Sequence, residues 1–243
     1  MIALQNLRKT FGATVAVRDV SFVAANGEVT GLLGPNGAGK TTTLRLLTGV
    51  LKPENGTVHI DGIDAHRQSF EARARLGVVP ETVGLYDRLT VREHLVYSAE
   101  LHGGNHFDVN ERVNDVLERV DLTRLAGRRA ATLSLGQRRR VALARALVHQ
   151  PANIVFDEPT NGLDVLGVRD MRAEIRRLAA ADCAVIVSTH VMPEISAVCD
   201  RIVVLSKGEV VATGTPRELQ QRAGASTLED AFVRTIGTAE GLN

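Results

Sequence analysis

The chain has 243 residues, 44% hydrophobic and 23% charged, enough for one large domain whose core needs no staples. A formal net charge of +1, 3% aromatic residues and no Trp argue against a basic nucleic-acid face and against base-stacking platforms. No apolar run approaches the roughly 18 residues of a membrane span, the start lacks a signal-peptide core, and two cysteines, Cys183 and Cys199, suit a reducing compartment.

Three blocks follow one another along the chain. Residues 1 to about 85 read as strands punctuated by glycine: Ile2–Leu7, Val20–Ala24, Val29–Leu33 and Gly56–Asp61. Asn26-Gly27, Asn55-Gly56 and Asp61-Gly62 read as turns. A helix is expected from near Lys40, with Leu44, Leu47 and Leu51 on one face. Residues 86 to 150 turn helical. Thr90 and Glu93 form a capping box, and Asp108 is expected to cap a helix with Val109, Val113, Val116, Leu117 and Val120 on its apolar face. A third helix is expected from about Gly136 to His149. Beyond Pro151 the strands Asn153–Phe156, Ala184–Ser188 and Ile202–Leu205 are nearly all apolar, as in a parallel sheet buried on both faces. A helix carrying Val168, Met171, Ile175 and Leu178 separates the first two, and helices are expected near Arg217 to Arg222 and near Thr227 to Thr235.

One stretch carries chemistry by itself. Gly34, Pro35, Asn36, Gly37, Ala38, Gly39, Lys40 and Thr41, followed by Thr42, fit G-x-x-x-x-G-K-[ST] between a strand and a helix. Such a loop turns backbone N–H groups around phosphate oxygens, and the helix start adds its positive end. Lys40 would neutralise the β- and γ-phosphates, and Thr41 would offer a hydroxyl to Mg²⁺. Asp157 and Glu158 end the apolar strand at Phe156, where open α/β sheets bind ligands. Asp157 is expected to hold Mg²⁺ and Glu158 to polarise the attacking water. His190, after the strand Ala184–Thr189, is expected to orient that water with Glu158.

Leu133, Ser134, Leu135, Gly136 and Gln137, followed by Arg138 to Leu147, resemble the signature segment of the ABC ATPases. Asn161 to Asp164 is similar to that family's D-loop, and His190 to its switch histidine; the resemblance spans Ile2 to about Gly214. It implies an α/β fold: a P-loop (RecA-like) parallel-sheet core with an antiparallel β subdomain and an inserted helical subdomain. The core with its β subdomain would take 1–87 and 148–214, the helical subdomain 88–147 and a tail 215–243. It also implies ATP as ligand, with Phe11 stacked on adenine. A second nucleotide-binding domain would bring Ser134, Gly136, Gln137 and Asp164 onto ATP held by the first. A polytopic membrane permease would be the partner, holding the chain on the cytoplasmic face of the cell membrane.

The sequence departs from the family pattern at three positions. Leu135 stands where a glycine is usual, Asn161 where serine is common, and Glu81 where a glutamine usually contacts Mg²⁺ and water. Glu81 is expected to make a modified metal contact. The segment from Leu76 through Glu81, Gly84, Leu85, Tyr86 and Asp87 to Glu93 resembles export subunits, particularly sodium-extruding NatA-type ones. Leu85 and Tyr86 either line a groove for the membrane subunit or belong to the core. Arg138 to Arg140 read as a solvated helix face. The competing function is a soluble ABC ATPase in a non-transport complex such as iron–sulfur assembly. DNA-repair members are disfavoured because no long coiled-coil insertion separates the motifs.

Overall fold

The computed structural model describes residues 1–103 and 106–240. β1 (Ile2–Phe11) and β2 (Thr14–Ala24) make an antiparallel hairpin, longer at both inner ends than the apolar alternation alone marks. β3 (Val29–Leu33) is buried at every residue and feeds α1 (Lys40–Leu47). That helix stops short of Leu51, because Gly49 takes φ 75° and turns the chain away. β4 (Asn55–Ile60) returns antiparallel to β1, followed by β5 (Ile63–Asp64), α2 (Ser69–Arg73) and β6 (Leu76–Val79). The expected Asn55-Gly56 turn is part of β4. Gly56, at φ 88°, approaches β1 so closely that a Cβ there would lie 2.3 Å from the Gln5 carbonyl oxygen.

Three helices form the next layer: α3 (Val91–Leu101), α4 (His106–Arg119) and α5 (Leu135–Leu147). Thr90 and Glu93 close the expected capping box on α3. Asp108 lies in the first turn of α4, two residues past its start, so it is not the cap. The chain then runs through β7 (Asn153–Asp157), α6 (Val165–Ala180), β8 (Ala184–Ser188), α7 (Met192–Val198), β9 (Arg201–Ser206) and β10 (Glu209–Gly214). α8 (Pro216–Ala223) and α9 (Leu228–Glu240) complete it, with Leu219 and Leu228 buried.

The described strands form one sheet in the order β5-β4-β1-β2-β10-β9-β3-β8-β7-β6. β9, β3, β8, β7 and β6 are mutually parallel, whereas β5, β4, β1 and β2 are antiparallel. This is the α/β core with an antiparallel extension that the sequence implies. Successive residues of the central strands alternate between two apolar clusters. Leu33, Ile154 and Phe156 pack with α3 to α6, whereas Leu32 and Val155 pack with Leu44, Leu46 and Leu47 of α1. Both faces are thereby covered, which explains the unbroken apolar runs. Parallel pairing of β3, β8 and β7 also brings three carboxyl ends to one edge, with Leu32 opposite Ser188 and Ser188 opposite Asp157. The phosphate loop, Asp157, Glu158 and His190 leave the sheet there.

Candidate active site

The loop after β3 is shaped by close backbone approaches. A Cβ on Gly34 would lie 2.4 Å from the Leu205 carbonyl oxygen, and one on Gly39 would lie 2.6 Å from that of Ala16. Gly39 also takes φ 102°, which side chains rarely adopt, and leads directly into α1. Lys40 is buried and donates from Nζ to the carbonyls of Gly34 (2.6 Å) and Pro35 (3.1 Å). Its side chain therefore curls over the loop that would hold the phosphates. Burial lowers the Lys40 pKa, while the charges of Glu158 and then Asp157 raise it. The ammonium and both carboxylates thus share one field.

Asp157 closes β7 and is partly buried. Burial holds its carboxyl above the usual range, Ser188 pulls it down, Glu81 and Glu158 push it up, and Lys40 pulls it down. Glu158 follows with φ 47°, the left-handed region, which costs a non-glycine residue about 1–3 kcal/mol. Its N–H donates to the Ser188 carbonyl at 2.8 Å, which fixes the turn off the strand. His190 Nδ1 lies 2.8 Å from Glu158 Oε1. Lys40, Asp157, Glu158 and His190 are therefore brought to one place.

Glu81 is exposed and accepts from Asn161 Nδ2 at 3.3 Å, so two departures from the family pattern meet each other. Phe11 is exposed at the end of β1, with the Lys9 ammonium 5.8 Å from its ring centre. Thr41 is exposed and Thr42 partly so.

The signature residues stand apart from the phosphate loop within this chain. Ser134 is the N-cap of α5 and closes a capping box with Gln137, so the helix starts at Leu135 rather than at Gly136. Asp164 caps α6 by accepting from the Gly167 N–H at 2.7 Å. Ser134, Gly136, Gln137 and Asp164 line a groove of about 810 Å³ to which no phosphate-loop residue contributes. Leu135, half exposed, leans over Gly162, where a Cβ would lie 2.9 Å from its Cδ2.

Arg139 is 5% exposed and is not part of a solvated face. Its guanidinium donates to the carbonyls of Glu158 (3.3 Å) and Pro159 (3.4 Å), and burial lowers its pKa. The helical phase gave a signal, because Arg139 lies three, four and seven residues before buried Ala142, Leu143 and Ala146. Leu85 belongs to the core, whereas Tyr86 is 59% exposed beside Tyr97 and Leu89 in an open apolar groove of about 510 Å³.

The residues present suit Mg²⁺ bound together with a nucleotide. Mg²⁺ sites commonly use one or two carboxylates and take their other ligands from phosphates and water. Asp157 would offer such a carboxylate; burial, Glu81 and Glu158 raise its pKa, a shift that a bound cation would oppose. Among the described residues no group of three or more His, Cys, Asp or Glu could hold a metal alone.

Comparison with known proteins identifies the family. The family model described as "ABC transporter" matches residues 17–161. The ABC transporter ATP-binding protein NatA of Bacillus subtilis is 40% identical over 223 residues, 91% of this chain and 90% of that protein. The Nod factor export ATP-binding protein I of Burkholderia lata is 38% identical, over 94% of this chain and 75% of that one. A relative named for import, the sulfate/thiosulfate subunit CysA of Thermosynechococcus vestitus, is 40% identical over 90% of this chain and 65% of that one. A solved dimeric bacterial ABC transporter cassette, MJ0796, superposes with a TM-score of 0.80 at 28% identity, covering 88% of this chain and 98% of that one. The chain belongs to the ABC transporter family and is one of its ATP-hydrolysing subunits.

Proposed function

We propose that this chain powers export through a separate polytopic membrane subunit, closing on ATP against a second nucleotide-binding domain. The observation that carries the chemistry is the 2.8 Å contact between Glu158 and His190 beside Lys40. Glu158 accepts the proton of the attacking water, and His190 holds both the Glu158 carboxylate and the terminal phosphate in place. Lys40 leaves the Gly34 and Pro35 carbonyls for the phosphates. Gly34 to Thr42 cradle the nucleotide, and Phe11 covers its base. Thr41, Asp157 and Glu81 would hold Mg²⁺, which would add to the Lys40 ammonium the positive charge needed beside three carboxylates and a nucleotide.

Separation of the signature groove from the phosphate loop supports a two-domain reaction. Ser134, Gly136, Gln137 and Asp164 share a groove without any phosphate-loop residue, which supports assigning them to a second domain's nucleotide. The N-terminus of α5, capped by Ser134, favours an anion there. No helix among the described residues is long and apolar enough to cross a membrane. The names of relatives as ATP-binding subunits support assigning the membrane path to another chain. The apolar groove of Tyr86, Leu89 and Tyr97 is the surface assigned to it. The segment from Leu76 to Glu93 supports export, with sodium ion or a drug as cargo chosen by the membrane subunit. Attached in this way, the chain sits on the cytoplasmic face of the membrane.

The test is affinity capture of Glu158→Gln protein, held closed with ATP, from detergent-solubilised native membranes. Recovery of a polytopic membrane protein is expected. Recovery of soluble partners alone, with the protein absent from the membrane fraction, rejects the transport reading.

A further inference from the structure

Glu194 is a buried carboxylate that the chemistry above leaves unused. It lies in the first turn of α7, is 7% exposed, and shares that short helix with buried Ile195 and Val198. Burying a carboxylate is costly unless its oxygens are bonded. Both are. Thr160 Oγ1 donates to Oε1, and Thr189 Oγ1 donates to Oε2 at 3.2 Å. The Val191 N–H donates to Thr189 Oγ1 at 3.1 Å, which leaves that hydroxyl's own proton for Glu194. Thr160 and Thr189 are themselves buried.

The two threonines belong to different loops. Thr160 stands two residues after Glu158, and Thr189 one residue before His190. Strand pairing fixes Asp157 against Ser188 and ends there. Beyond the strand ends, the Glu158 N–H to the Ser188 carbonyl is a single backbone bond, and Glu158 is in a strained conformation. We propose that Glu194 is a positioning residue for ATP hydrolysis, tying the loop that carries Glu158 to the loop that carries His190. The proposal rests on the roles given to those two residues above. Glu194 acts through the two threonines, so its loss lets Glu158 and His190 part.

The experiment is a mutant cycle on the purified full-length chain, reading kcat and KM for ATP. Glu194→Ala should lower kcat by about tenfold and leave KM within about twofold, because only the geometry of the reacting groups changes. In a His190→Ala background the same substitution should cost nothing further. Glu194→Gln, which keeps one acceptor oxygen, should recover part of the rate. Thr160→Val and Thr189→Val should each reproduce part of the loss, and they carry the cycle if Glu194→Ala does not fold. A loss of equal size in the native and His190→Ala backgrounds, or a parallel rise in KM, overturns the proposal. Hydrolysis at the native rate by His190→Ala alone would reject the role of His190, and with it this inference. Slow His190→Ala combined with additive losses rejects the inference and leaves the role of His190 standing.

Discussion

Glu158 and His190 stand 32 residues apart in the chain and meet with Nδ1 2.8 Å from Oε1. The meeting is made by sheet order. β7 and β8 are parallel neighbours with Asp157 opposite Ser188, so the residues that follow each strand emerge side by side. Parallel strands need a crossover, and α6 supplies it. A single contact thus depends on the register of two strands and the length of one helix.

Nucleotide-driven closure gives the first prediction. Glu158→Gln protein with Mg²⁺ and ATP should sediment as a dimer, because bound ATP is no longer consumed. The same protein without nucleotide should sediment as a monomer. Analytical ultracentrifugation reads both states, and a monomer under saturating ATP would remove the two-domain reaction.

The phosphate loop gives the second. Gly39→Ala forces a side chain into φ 102° and to 2.6 Å from the Ala16 carbonyl oxygen. The expected cost is about 1–3 kcal/mol of stability, together with loss of nucleotide binding as the loop shifts. Thermal denaturation and binding of a fluorescent ATP analogue measure the two effects. A substitution that leaves both unchanged would mean that the backbone there is free to adapt.

The third concerns Asp157. Its carboxyl pKa is raised on folding, first by burial. The folded state therefore holds that proton more tightly than the unfolded chain does, and a penalty grows as pH rises through the carboxylate range. Metal-free Asp157→Asn should thus gain stability relative to the native chain as pH rises, while losing Mg²⁺-dependent hydrolysis. Paired Tm measurements across pH check the sign; a native chain that gains on the variant as pH rises would contradict it.

His149 supplies an acid-side prediction of opposite form. Its ring stacks on His102 with centroids 3.9 Å apart, and Nε2 lies 3.2 Å from the Leu76 carbonyl. Burial first, then the His102 ring, lower its pKa from 6.5 to about 4. Above pH 6.5 both states leave it neutral. As pH falls below that value the unfolded chain takes up a proton that the folded chain resists, so stability drops until about pH 4. His149→Gln should flatten the fall of urea midpoints across that window. An unchanged slope would place the acid sensitivity elsewhere.

The fold and the site were legible to different depths. Gly34 to Thr41 could be read directly, because a phosphate loop is contiguous and its glycines answer to local backbone demands. Asp157, Glu158 and His190 could be read from their positions at the ends of apolar strands. Residues whose meaning depends on a distant partner were less visible. Arg139 looked like one of three surface arginines until α5 packed it against the Glu158 carbonyl. Glu194 belongs to no motif, and its two threonine partners come from separate loops, so nothing in the sequence around it marks it. Gly56 looked like a turn because the closeness of β1 is a tertiary fact. Leu51 matched a helical period but fell beyond the Gly49 stop.

In the proposed reaction Glu158, oriented by His190, accepts the proton of the attacking water. Single-turnover phosphate release from pre-bound ATP tests it most directly, since binding and product exchange drop out. Glu158→Gln should slow release by about 10²-fold or more while ATP stays bound. Release at the native rate from the Glu158→Gln protein would contradict it and require another base.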